Sequence, residues 1–436
     1  MSKVKAMKQS KIARALAAFT CLILSSAALA QAVPVEIVKS GDGFQLLRGG
    51  EPYTVNGAGL EFSDPAVFAS HGGNSFRTWR TDNEQFTGQE LLDEAAANGL
   101  TVMLCIEIAR ERHGFDYDDE SAVAAQFEYA KGEVEKYKDH PALLAWMIGN
   151  EPNLEARNTK VYDAINDISR MIHEVDGKHP TTTALAGFGQ ELADITKTQM
   201  SDLDFISVQF YGDIVNLPRY MKKIGWDRPY MVTEWGSIGH WEVANTQWGA
   251  HIEQNSTDKA ENYRKSHEVA IASDPEKIIG NYVFLWGQKQ ERTPTWYGMF
   301  LADGSKTETV DVMQKIWTGQ FPGNRAPQVD AMTLNGKKAK DSVKVGVAST
   351  NTATVLAEDP EGDVLEYSWE IMRESMAKQT GGDREEVPEA LPGLIEGGGA
   401  KVSFRAPAEA GAYRLFVYVR DGQGSAAHAN IPFLVK

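Results

Sequence analysis

The chain has 436 residues, enough for one large domain and a smaller one, with the apolar share of an ordinary soluble protein. Its formal net charge is −16; residues 1–30 hold five cations and no acids, so the remainder stands at −21. That balance excludes nucleic acid and anionic membrane as natural partners, leaves a neutral ligand open, and suits an exported protein kept dissolved by its charge.

Residues 1–30 read as a secretory signal. Lys3, Lys5, Lys8, Lys11 and Arg14 precede an apolar run from Ala15 to Leu24, and Ala28-Leu29-Ala30 offers small residues for cleavage. The run is short for a membrane span, which disfavours the alternative of an uncleaved anchor. The expected location is therefore secreted or periplasmic. Cleavage would remove Cys21 and leave Cys105, a lone cysteine in the apolar run Val102–Ile106, which reads as core.

Residues 33–60 alternate apolar and polar around the turn Ser40-Gly41-Asp42-Gly43, a hairpin expected to lie across the closed end of a strand barrel. The barrel strands are expected at 53–59, 74–80, 100–108, 145–153, 181–186, 205–211, 230–234 and 279–286. Helices alternate with them. Asp64-Pro65 opens the first. Thr87 and Glu90 have capping-box spacing for the second, which stops at Asn98-Gly99. Val123, Phe127, Ala130, Val134 and Tyr137 share a face of the third. Ile165, Ile168, Ile172 and Val175 mark the fourth, and Val310–Trp317 the last. The helices after the fifth and sixth strands leave the faintest pattern. Eight strand–helix pairs over about 270 residues give the expected fold: α/β, a (β/α)8 TIM barrel. A doubly wound open sheet is the alternative, but Gly57-Ala58-Gly59 lacks the third glycine of its phosphate turn.

Past Phe321–Pro327 the helical period disappears and short β-type runs continue to Val435. We expect a catalytic barrel over 31–320 with its hairpin, a linker at 321–328, and a small all-β sandwich domain over 329–436. The Gly- and acid-rich stretch Ala377–Gly399 reads as a mobile loop. Asp359, Glu361, Asp363 and Asp421 have the oxygen ligands for calcium, although a tight solvated turn explains the first three as well.

Two strands end alike. Ala145–Ile148 runs into Gly149-Asn150-Glu151-Pro152, and Tyr230–Thr233 runs into Glu234-Trp235-Gly236. Each delivers a glutamate at the C-terminal tip of a buried parallel strand, the face where barrel active sites lie. The two are 83 positions apart in sequence yet share one mouth. Such a pair suits glycosidic cleavage. One carboxyl protonates the leaving oxygen, and the other, about 5–5.5 Å away, attacks the anomeric carbon. Arg77 and Tyr211 are candidates to hold the attacking carboxylate, and Asn150 to bind the hydroxyl beside the reacting carbon. Trp286 is a candidate floor under the sugar, and Trp79, Trp235, Trp241 and Trp296 are stacking surfaces. Glu107, Glu111 and His113 follow the third strand and could line a subsite. Metal catalysis lacks a His-x-x-x-His or Cys pair, and serine hydrolysis lacks a Gly-x-Ser-x-Gly elbow. No resident cofactor is expected.

Gly149-Asn150-Glu151-Pro152, Thr233-Glu234-Trp235-Gly236 and Asn74-Ser75-Phe76-Arg77 resemble the strand-end motifs of the retaining glycoside hydrolases of clan A. The resemblance spans about residues 50–318. It is similar to the barrel of the β-galactosidase and β-glucuronidase family and to β-1,3-glucanase and glucanosyltransferase barrels. It departs from the first in showing no sandwich domains ahead of the barrel. It implies Glu151 as acid/base, Glu234 as nucleophile, and Arg77, Asn150, Tyr211 and Trp286 as helpers. The C-terminal region resembles cadherin-like or immunoglobulin-like modules of exported bacterial enzymes. The expected activity is retaining hydrolysis of a β-glycan, β-glucan first and galactan or mannan next, in an open cleft. A transglycosylase using the same intermediate and a non-catalytic glycan-binding barrel are the alternatives.

Overall fold

The computed structural model describes residues 31–436, so the signal expected at 1–30 lies outside the described residues. Eight parallel strands close into a barrel: β1 (Asn56–Gly59), β2 (Ser75–Arg77), β3 (Thr101–Ile106), β4 (Leu143–Asn150), β5 (Thr181–Ala186), β6 (Ile206–Gln209), β7 (Tyr230–Glu234) and β8 (Ile278–Val283). Neighbours in sequence are neighbours in the ring, and β8 closes on β1. Helices α1 (Pro65–Ser70), α2 (Gly88–Ala97), α3 (Glu120–Tyr137), α4 (Lys160–Val175), α5 (Gln190–Thr198), α6 (Leu217–Ile224), α7 (Ser256–Ser266) and α8 (Glu308–Thr318) form the outer layer. Together they make a (β/α)8 barrel. No helix among the described residues is long and apolar enough to cross a membrane.

Local chemistry explains the element ends. The Asp64 carboxylate accepts from Ala66 N, and Pro65 opens α1. Thr87 and Glu90 satisfy each other's backbone N–H groups at the start of α2. All eight residues of β4 are buried, as expected of a strand covered on both faces.

Two apolar layers hold the barrel. Outward-facing residues such as Trp146, Ile148, Val232 and Val283 pack under the helices. Inward-facing Met103, Cys105, Met147, Met231 and Tyr282 fill the interior. Burial pushes the Cys105 thiol up to about 12, so it packs as a small apolar residue and holds no thiolate. The hairpin Val35–Arg48 places Val35 and Leu46 against that interior layer. Val35 N donates to Lys178 O ahead of β5, and Phe44 N to Glu276 O ahead of β8, so the hairpin covers the N-terminal end.

After α8 the chain forms a β-sandwich. One sheet orders Thr333–Leu334, Thr350–Thr354, Lys401–Arg405 and Ile395–Glu396. The other orders Lys344–Val345, Ala426–Val435, Gly411–Arg420 and Glu366–Arg373. Leu334, Ala353 and Phe404 from the first meet Leu415, Val417 and Phe433 from the second. The carboxylates of Asp359, Asp363 and Asp421 gather within 4.8 Å. Asp359 Oδ1 accepts from Glu361 N and Asp363 N as a turn carboxylate does, and the Glu361 side chain instead accepts from Arg325 N.

The two domains are joined by a buried polar cluster. Arg414, 2% exposed, pairs with Glu374 at 2.7 Å and donates to His251 O on the barrel side at 2.7 Å. It also bonds Asn430, whose Nδ2 donates to Glu253 Oε2 at 2.7 Å, and Lys259 Nζ meets Glu253 Oε1 at 2.6 Å. Replacing Arg414 by alanine strands Glu374 in the interface and should cost about 3–5 kcal/mol, read as a lower urea midpoint or Tm. The Lys259 ammonium, assisted by His428 and Arg414, outweighs burial and pulls the Glu253 carboxyl down to about 2. A carboxylate lowered on folding stabilises above its unfolded pKa. That contribution is therefore lost as pH falls from the ordinary glutamate range towards about 2. Glu253→Gln should flatten that part of the acid-unfolding curve.

Candidate active site

At the C-terminal ends of the strands lies a cleft of about 740 Å³, lined by Glu151, Glu234, Asn150, Trp79, Tyr211 and Trp241 among others. β4 delivers its end through a local irregularity in its pairing with β5, between Met147 and Asn150. Gly149 has φ 76°, and a Cβ there would come within 2.5 Å of Ile108 Cγ1. Glu151 itself sits at φ 51°. This left-handed pair turns the strand end so that both Asn150 and Glu151 face the mouth. β7 shifts register against β6 between Val232 and Glu234, which turns Glu234 inward at the matching height.

The environments of the two glutamates are opposite. Three donors surround the Glu234 carboxylate: Arg77 Nη1 at 3.1 Å and Trp79 Nε1 at 3.0 Å on Oε1, and Tyr211 OH at 2.6 Å on Oε2. Arg77 is fully buried. A paired guanidinium and directed donors match a negatively charged oxygen pair. Glu151 is 9% exposed, and no side-chain hydrogen bond among the described residues reaches its carboxyl. Burial first, and the Glu234 charge second, push its pKa well above the ordinary glutamate range, against the pull of Arg112, Arg110 and Arg77.

Asn150 is oriented by its neighbours. Its Oδ1 accepts from Arg77 Nη2 and from Gln209 Nε2, each at 2.7 Å. Because a guanidinium only donates, the amide must present oxygen inward, and Nδ2 is left to donate into the cleft. Arg77 therefore lies behind both Glu234 and Asn150. Expected to hold the attacking carboxylate, it reaches Glu234 from beneath, fully buried and away from the cleft lining.

The tryptophans divide. Trp79 and Trp241 line the cleft; Trp241 is 58% exposed and meets the Tyr211 ring edge-on. Trp286, Trp235 and Trp296 do not. Trp286 packs among Phe68, Phe300 and Trp317 under the helices. Trp235 is buried with its Nε1 on Asn281, and Trp296 is buried with its Nε1 on Ile238 O. The floor expected of Trp286 belongs to Phe284. Alternation along β8 turns Tyr282 inward, and Phe284 continues that face. The strand ends at Val283, and the Trp286 indole three residues on packs outward under the helices.

Sequence reasoning missed Gln209, Arg110 and Phe284. Gln209 had a signal, as a polar residue in the apolar run of β6. Arg110 Nε donates to Asn150 O at 3.2 Å from the β3 loop, which carries no such signal. Glu107 and His113 line the cleft, whereas Glu111 accepts from Arg157 N and Asn158 N outside it. The stretch read as a mobile loop is tied down: Gly381–Glu385 joins the cleft wall, so the mouth is not the open groove expected.

Paired glutamates at the C-terminal strand ends of a (β/α)8 barrel are the arrangement that glycosidic cleavage uses. A family model described as "Glycosyl hydrolases family 2, TIM barrel domain" matches residues 63–267, a span that includes Glu151 and Glu234. Among curated proteins, the chain is 39% identical over 77 residues to a probable mannan endo-1,4-beta-mannosidase A-2 of Aspergillus terreus, covering 17% of this chain and 19% of that protein. It is 35% identical over 77 residues to mannan endo-1,4-beta-mannosidase A of Aspergillus aculeatus, covering 17% and 20%. The matches thus span about a fifth of those relatives' length. Among solved structures, a Faecalibacterium prausnitzii beta-glucuronidase superposes with TM-score 0.51 at 17% identity, covering 66% of this chain and 52% of that one. A Bacteroides uniformis beta-glucuronidase 2 gives 0.51 at 13% identity, covering 92% and 48%. At these identities the superpositions speak for the fold.

Proposed function

We propose that this protein is an exported retaining β-glycoside hydrolase working by double displacement. The observation that carries the reading is the contrast between Glu234, held by three donors, and Glu151, buried without one. In the first step the Glu151 proton passes to the glycosidic oxygen. The bond from that oxygen to the anomeric carbon breaks, and a Glu234 oxygen bonds to the carbon. In the second, the Glu151 carboxylate takes a proton from water, the water oxygen attacks the anomeric carbon, and the ester to Glu234 breaks. Asn150 Nδ2 donates to the neighbouring sugar hydroxyl, a contact that tightens as positive charge develops. Trp79, Phe284 and Trp241 offer aromatic faces to the sugar C–H surfaces. No metal or cofactor enters these steps.

β-Glucan is the first substrate to try. The local likeness to mannan endo-1,4-beta-mannosidases puts β-1,4-mannan beside it. The mature protein is incubated with β-glucans, β-mannan and β-galactan, and products are sized. Shorter products support hydrolysis, and longer ones the transglycosylase alternative. Binding without any change in length would refute the enzyme reading in favour of a glycan-binding barrel. Export is tested separately, by finding whether the extracellular or periplasmic protein begins at Gln31.

A further inference from the structure

The C-terminal domain reaches back over the barrel mouth and is fastened on both sides of it. After β8, Arg292 Nη1 donates to Ala377 O and Nη2 donates to Gln379 O at 2.9 Å. Arg292 N donates to Glu385 Oε2 at 2.7 Å, and Lys289 Nζ donates to Gly382 O at 2.9 Å. On the far side, after β3, Arg112 Nη2 lies 3.4 Å from both Gly381 O and Asp383 Oδ1. His113 Nε2 meets Asp383 Oδ2 at 2.9 Å. Gly381 (φ 62°) is packed so closely that a Cβ would fall 2.7 Å from Arg112 Nη2 and from Leu154 Cδ2. Leu154 follows β4, which stands opposite β8 in the ring of eight. The arm Ala377–Val387 is thus a strap across the mouth.

Next to the strap lies a side chain that the barrel leaves unmatched. Gln290 lines the cleft and is 9% exposed, yet neither its Oε1 nor its Nε2 has a hydrogen-bond partner in the protein. A buried amide without partners carries an uncompensated desolvation penalty. Both atoms are closed to solvent as the side chain stands, so a turn of Gln290 brings them to sugar hydroxyls, which donate and accept and can satisfy the two together. Val387 and Phe62, both exposed, add apolar surface to the same cleft for a sugar's C–H face.

We propose that the arm and the Lys289–Glu291 segment form a subsite for a further neutral sugar unit beyond the one cleaved, so that the C-terminal domain takes part in selecting the substrate. This rests on the glycosidase reading. The β3 and β8 loops supply the anchors, the arm supplies the wall, and Gln290 supplies the directional hydrogen bonds.

The test uses the full mature chain and two variants. In one, Lys378–Arg384 is replaced by Gly-Ser-Gly; in the other, Gln290→Leu keeps size and removes both polar atoms. Each is assayed on an aryl β-monoglycoside and on a β-linked tetrasaccharide of the same sugar, with Tm recorded. The ratio of tetrasaccharide to aryl-glycoside kcat/KM should fall about tenfold or more in both variants, mainly through a raised tetrasaccharide KM. A ratio that stays within about twofold in the folded Gln290→Leu protein overturns the subsite, as does a parallel loss on both substrates with a lower Tm, which marks a structural strap only. If the unaltered protein cleaves no glycoside at all, the glycosidase reading fails, and the subsite with it.

Discussion

Glu234→Gln should lower kcat/KM on every cleaved glycoside on the order of 10⁴- to 10⁶-fold, the scale on which removal of a covalent nucleophile acts. The loss should appear with activated aryl glycosides as well as with glycans, because a better leaving group does not replace a missing nucleophile. Gln keeps the shape of the site. Its oxygen can stay on Arg77 and Trp79, and the Tyr211 hydroxyl, at 2.6 Å, can turn to accept from the new amide. Substrate binding and the thermal transition therefore separate lost chemistry from lost fold. A variant retaining a tenth or more of the activity would remove Glu234 from the attacking role.

Glu151→Gln should behave differently in two respects. Unactivated glycans need a proton on the leaving oxygen, so their turnover should fall about 10²- to 10⁴-fold. Aryl glycosides with acidic phenols should lose far less in the bond-breaking step. The pH profile carries the second signature. Burial and the Glu234 charge raise the Glu151 pKa, so the protonated, active acid persists into the neutral range and is lost as pH rises through that pKa. The alkaline limb of kcat/KM should belong to Glu151 and disappear in the glutamine variant. An unchanged alkaline limb, or equal losses on glycans and acidic aryl glycosides, would assign the proton to another group.

Both glutamates were legible in the sequence because each ends an apolar strand with an abrupt polar turn. The barrel was legible because eight such strands alternate with periodic helices. The aromatic floor was not. Trp286 and Phe284 share one parity of the strand expected at 279–286, and only the end of the strand at Val283 decides which ring faces the cleft. Trp235 and Trp296 show the same limit, since apolar packing and sugar stacking draw on the same residue type. Arg77 was legible as a strand-end cation, but its complete burial depends on Trp79 stacking over it at 4.7 Å, a tertiary fact. The arm was the least legible element. Its Gly- and acid-rich composition reads as a mobile loop, and its order comes from partners such as Arg112, 271 positions away from Asp383.

The central claim is a covalent intermediate on Glu234. A 2-fluoro β-glycoside with a good leaving group tests it, because the fluorine slows both steps by disfavouring positive charge at the anomeric carbon, and the leaving group restores only the first. Peptide mass mapping after incubation should find one glycosyl unit on the peptide holding Glu234, and none when Glu234 is glutamine. An adduct on a different residue, or turnover giving the inverted anomer with no adduct, would contradict the account.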